Sequence, residues 1–161
     1  MTAREAEIIE LIRKEVKPAL GCTEPIAVAL AVAKAMETVE EKCGLSGPDW
    51  RMEGAYSLCI EVSGNILKNG MGVGIPGTGM VGLHIAAALG AVCGKSSYGL
   101  EVLNDLDEDS IAKAKEMVEA KDVTVGLAET DHKLYVKATV LCKDGHSACA
   151  VIEDDHDNIV E

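Results

Sequence analysis

The sequence predicts an α+β fold, with helices packed on one face of a mostly antiparallel sheet, and three observations carry that expectation. Apolar residues recur at helical spacing in Glu5–Val16, Ile26–Ala35, Met80–Val92 and Asp107–Ala120. They alternate at strand spacing in Tyr56–Val62, Leu134–Cys142 and Ser147–Ile152. Asp144-Gly145, between the last two of these, is a strong hairpin signal.

Taken in order, Glu5–Val16 carries Ile8, Ile9, Leu11, Ile12 and Val16 between charged residues, the pattern of an amphipathic surface helix ended by Lys17-Pro18. Gly21-Cys22-Thr23-Glu24-Pro25 leads into a second helix, with Thr23 or Glu24 as its N-cap and Pro25 in its first turn. Ile26 to Ala35 is apolar almost all round, so this helix is expected at the centre of the molecule. Cys43–Asp49 reads as a loop, and Tyr56, Leu58, Ile60 and Val62 line one side of a strand. Ser63–Gly79 is rich in Gly and Asn and reads as a loop. Thr78 is a candidate cap for the helix that follows, and Gly82 and Gly90 within that helix point to close packing against a neighbour. Asp107-Glu108-Asp109-Ser110 starts another helix with its acids at the favourable end. Val123–Leu127 is a further strand. A two-residue turn at Asp144-Gly145 would set Cys142 opposite Ser147 and diagonal to Cys149. Both thiols would then share one sheet face with Val136, Val140 and Val151, where packing explains them better than metal binding.

The 161 residues suit one domain, and no internal repeat or linker divides them. Phe is absent, with three Tyr and one Trp, so Ala, Val, Ile, Leu and Met must build the core. A net charge of −12 without a basic cluster excludes a nucleic-acid footprint. Pro25–Ala33, the longest apolar run, is too short to span a bilayer. The start leads directly into a charged helix, so a cytoplasmic, reducing location is expected. The six cysteines, at 22, 43, 59, 93, 142 and 149, are then expected as free thiols.

Three segments carry candidate chemistry. Gly72-Val73-Gly74-Ile75-Pro76-Gly77 matches a dinucleotide fingerprint in form. Pro76 removes a backbone donor from it, however, and extra glycines flank it, so that reading is set aside. Ser63–Gly79 taken whole offers Ser63, Asn65, Lys68, Asn69 and Thr78 as donors, with glycines such as Gly77 giving access to backbone amides. A helix starting after Thr78 would favour an anion such as a carboxylate. The same segment could equally be a set of tight turns with exposed polar side chains. Cys22 stands just ahead of a helix start, where unpaired amides favour thiolate, so it could serve as base, nucleophile or metal ligand. It could also be an inert thiol, and Glu24 only a helix-start carboxylate.

Pro18-Ala19-Leu20-Gly21-Cys22-Thr23-Glu24-Pro25-Ile26, Asn65–Val73, Ile75–Leu83, Ile85–Ala91 and Gly99–Leu103 resemble, in that order, the L-cysteine desulfidase family. That family is related to the alpha-type iron–sulfur serine dehydratases. The resemblance covers nearly the whole chain. It implies a lyase, independent of pyridoxal phosphate, that carries out α,β-elimination on L-cysteine, giving pyruvate, ammonia and sulfide, or on L-serine. The cofactor it implies is a four-iron four-sulfur cluster. By the same analogy Cys22 is the proton acceptor at the substrate α-carbon, or alternatively a cluster ligand, with Glu24 beside it. Thr23, Ser63, Asn65, Lys68, Asn69, Gly77 and Thr78 would hold the amino or carboxylate group.

Members of that family are more than twice as long, and their cluster cysteines lie in a helical C-terminal domain. This chain alone is therefore expected to lack both cluster and activity, as the N-terminal part of a longer protein. The partners implied are an amino-acid substrate, the missing C-terminal domain and further copies in a homo-oligomer, without nucleic acid or membrane. The rival readings are a non-catalytic module that senses an amino acid and a module that only aids assembly.

Overall fold

A computed structural model describes residues 2–46 and 48–161. The elements run α1 (Ala3–Glu15), α2 (Thr23–Cys43), α3 (Pro48–Glu53), β1 (Tyr56–Val62), α4 (Gly64–Gly70), β2 (Gly74–Ile75), β3 (Met80–Val81) and α5 (Leu83–Cys93). A 3-10 segment at Ser96–Glu101 follows, then α6 (Glu108–Glu119), β4 (Val123–Leu127), β5 (Tyr135–Cys142) and β6 (Ser147–Glu153). The fold is α+β, as the periodicities predict.

The main sheet has the order β4-β1-β5-β6. β1 runs parallel to β4 and antiparallel to β5, which in turn is antiparallel to β6. Paired residues share a face, so the register writes the core as rows. Val123, Leu58, Val140 and Ala148 form one row, and Val125, Ile60, Ala138 and Ala150 the next. Helices α2 and α5 cover these rows, α2 over β5 and β6, α5 over β4 and β1. Alanines and glycines let the two helices approach closely: Gly90 and Gly94 of α5 meet Ala29 and Ala33, one turn apart on α2. Arg51, from α3, is buried and ties this layer together. Its guanidinium donates to both carboxylate oxygens of Glu40 at 2.6 and 2.8 Å and to the carbonyl of Gly94 at 3.0 Å.

Four local expectations change. Cys22 is the N-cap of α2, so Thr23 and Glu24 are already helical. Ser63–Gly79 contains the short helix α4 and the hairpin β2–β3, so it is not a continuous loop. α5 starts at Leu83, because Gly82 at φ +102° is its N-cap and Thr78 lies in the preceding turn. The β5–β6 connection has three residues, with Cys142 opposite His146 through a 2.8 Å backbone hydrogen bond and Gly145 at φ +97°. That one-residue difference places Cys142 on the helix-covered face with Val136 and Val140, and Cys149 on the other with Val151.

Candidate functional site

The chain between α1 and α2 crosses the molecule before α2 begins. Leu20 donates its amide to the carbonyl of Leu100 at 3.3 Å, and Gly21 then turns at φ +101°. A side chain here would strike the β2–β3 turn, since a Cβ on Gly21 would lie 2.9 Å from Pro76 Cδ. Glycine thus serves two ends at Gly21, a left-handed turn and a close approach. The contact joins two of the quoted segments, setting Cys22 and Gly77 one residue beyond the touching pair. Cys22 is exposed and makes no side-chain capping bond. Gly77 is exposed at φ +81°.

The other expected site residues divide into two groups. Thr78 is buried, and its hydroxyl donates to the carbonyl of Ile75 at 2.7 Å while accepting from the amide of Met80 at 3.0 Å. It closes the turn beside Cys22. Ser63 is buried as well. Its hydroxyl donates to the carbonyl of Lys133 at 2.8 Å and accepts from the amide of Tyr135 at 3.2 Å, pinning the end of β1 to the start of β5. Both hydroxyls are committed to backbone groups. Asn65, Lys68 and Asn69 are exposed on α4, which packs against α2. Thr23 and Glu24 are half-buried in the first turn of α2.

Glu24 has a neighbour no local pattern reveals. His156 Nε2 lies 3.9 Å from Glu24 Oε1. The same C-terminal segment is anchored nearby, where Asp157 takes the Lys17 ammonium at 2.8 Å.

A separate concavity lies elsewhere. A cleft of about 630 Å³ opens between α2, α3, α5 and the start of α6, lined by Glu37, Glu40, Arg51, Cys93, Asp107 and Ser110 among others. Several of its polar groups have partners: Glu40 takes Arg51 and Trp50, Glu37 takes Ser96, and Asp107 accepts from the amide of Ser110. Burial pushes the Cys93 thiol up to about 11, which keeps it protonated. These residues come from distant parts of the chain, so no spacing in the sequence announces the cleft.

Among the described residues, one trio of His, Cys, Asp or Glu side chains could hold a metal. His132, Glu153 and Asp154 have ligand atoms within 4.8 Å of one another. Nitrogen and carboxylate ligands of this kind suit a divalent cation such as zinc or manganese and not an iron–sulfur cluster. In the same residues no such group of three includes a thiol. No described helix is long and apolar enough to cross a membrane.

No family model matches the chain, and no solved structure matches it. Curated relatives do. A UPF0597 protein of Phocaeicola vulgatus is 49% identical over 156 residues, covering 96% of this chain and 33% of that protein. One from Parabacteroides distasonis is 49% identical over 151 residues, covering 94% of this chain and 32% of its own length. One from Shewanella pealeana is 47% identical over 152 residues, with 94% and 33% covered. The chain therefore spans about one third of the length of the curated relatives it matches.

Proposed function

We propose that this chain is the substrate-side part of a cytoplasmic lyase that carries out α,β-elimination on a small amino acid, L-cysteine or L-serine. The observation that carries the reading is the seating of Gly21 against Pro76, which brings the segment holding the exposed Cys22 against the β2–β3 turn that holds Gly77. A nucleophile next to accessible backbone amides is an arrangement that can hold a carboxylate and take a proton from the adjacent carbon. These two segments are among the five that carry the resemblance to L-cysteine desulfidases.

In this reading Cys22, as thiolate, accepts the proton from the substrate α-carbon. The electron pair left behind forms the Cα–Cβ double bond as the β-substituent leaves as sulfide or hydroxide. Water then hydrolyses the resulting enamine, through its imine, to pyruvate and ammonia. The exposed Gly77, with Asn65, Lys68 and Asn69 on α4, is left to bind carboxylate or amine, since Ser63 and Thr78 spend their hydroxyls on the backbone. Thr78 is thus a positioning residue for the turn. Glu24 and His156 form a second polar pair in the first turn of α2. No step here is assigned to an iron–sulfur cluster.

The test is sulfide and pyruvate release from L-cysteine, under anaerobic conditions, by the chain co-expressed with the remaining two thirds of a UPF0597 relative. Release that disappears in Cys22→Ala supports the reading. Release that Cys22→Ala leaves intact, or amino-acid binding by the chain without any turnover in the complemented protein, contradicts it.

A further inference from the structure

α1 is built as a surface helix, and among the described residues none of its apolar side chains is buried. Thr2 and Glu5 close a reciprocal capping box at its start, and Arg13 and Lys14 sit in its last turn. These local devices explain why it is helical. At 100° per residue, Ile8, Ile9, Leu11 and Ile12 fall on one side of the helix, with Glu5 and Glu15 within the same arc and Val16 at the C-cap, while Glu7, Glu10, Arg13 and Lys14 occupy the other side. None of its residues is buried, and Leu11 and Ile12 are 57% and 52% exposed. A 13-residue helix is marginal in water by itself, and most protein helices are held by packing of exactly such a face. A contiguous stripe of large aliphatic side chains at that exposure marks a contact surface.

We propose that the Ile8–Val16 face of α1 is the docking surface for the polypeptide that makes up the other two thirds of the curated relatives. Two observations select that occupant. An alignment covering 96% of this chain includes the Ile8–Val16 stretch, so proteins three times as long share the region that here lies bare. A second copy of this chain is the poorer fit, because each copy carries a net charge of −12, with Glu7 at the edge of the stripe and Glu15 within it. Within the longer proteins the helix and its cover arrive together, and the exposed side chains become part of an interface between two parts of one molecule. The inference is independent of the chemistry proposed above.

Amide hydrogen exchange, measured on this chain and on the full-length Phocaeicola vulgatus relative, tests it. The expected result is at least 100-fold slower exchange over the matching helix in the relative, together with a monomeric mass for this chain by light scattering. Equal exchange in the two proteins would overturn the proposal, leaving α1 a solvated helix. Slow exchange in this chain that rises with its concentration, with a doubled mass, would overturn it in favour of self-association. A double variant, Ile8→Ser with Ile12→Ser, should leave the thermal midpoint of this chain unchanged. A lowered midpoint would mean the stripe already packs on its own fold, and would also overturn it.

Discussion

Gly90 of α5 presses against the backbone of Ala29 in α2 so closely that a Cβ would overlap the Ala29 carbonyl. The layer of two helices over the sheet depends on that approach. Gly90→Ala should lower the unfolding free energy by about 2 kcal/mol, overpacking outweighing the roughly 1 kcal/mol helix-propensity gain of alanine. Gly126→Ala, where nothing lies within 4 Å of an added Cβ, should stay within about 0.5 kcal/mol of the parent. Urea unfolding of the two variants checks the contrast.

Arg51 and Glu40 form the most buried ion pair among the described residues, and its loss should be felt at both ends. Burial by itself would raise the Glu40 carboxyl, but hydrogen bonds from Arg51 and Trp50 outweigh it and hold the group below its ordinary 4.5. A depressed folded-state value means stability that is fully present above 4.5 and lost as pH falls through the lower folded value. Arg51→Met should cost about 3 kcal/mol at neutral pH by leaving a half-buried carboxylate without its partner. Glu40→Gln should flatten the acid limb of a stability profile taken between about pH 6 and pH 3.

The six thiols should not react alike. Cys22 is exposed, whereas burial holds the Cys93 thiol at about 11 and donation to the carbonyl of Leu89 fixes its direction. With limiting iodoacetamide at about pH 8, peptide mass spectrometry should find Cys22 modified first and Cys93 last. Modification of Cys93 ahead of Cys22 would contradict the burial assigned to both.

His132 is held by Asp154 at 2.8 Å, with Glu153 behind it at 3.8 Å, and its imidazole is raised above 6.5 chiefly by the Asp154 hydrogen bond. The stabilising contribution of a raised histidine is complete below 6.5 and is lost as pH climbs through the folded value. An NMR titration should place its midpoint above 6.5, and Asp154→Asn should bring it back down. An unchanged midpoint in that variant would remove Asp154 as the cause.

Much of the fold was legible because it is written locally. The all-apolar run at Ile26–Ala35 gave a central helix, the alternation in Tyr56–Val62 gave a strand with one buried side, and Gly90 marked a close helix contact. What failed was detail decided by single residues. Asp144-Gly145 signals a hairpin, but Gly145 at φ +97° belongs to a three-residue loop, and one residue of register moved Cys142 and Cys149 to opposite faces. Thr78 resembles a helix cap in sequence, yet the left-handed Gly82 is where α5 starts. Ser63 and Thr78 were readable as polar groups beside glycines. Ser63 is consumed by Lys133 and Tyr135 far along the chain, whereas Thr78 is consumed within its own turn by Ile75 and Met80. The Gly21–Pro76 seat and the Glu24–His156 pair join residues that no periodicity connects, so only the folded chain brings them together.

The claim on which the functional account turns is that an amino acid binds where Cys22 faces the Gly77 turn. Backbone amide shifts of this chain, titrated with L-serine in two-dimensional NMR, measure it directly. The account predicts saturable shifts at Cys22, Thr23, Asn69, Gly77 and Thr78, with the Glu37–Cys93 cleft and the β5–β6 hairpin silent. Shifts confined to that cleft, or none at Cys22 and Gly77 at saturating L-serine, would contradict it.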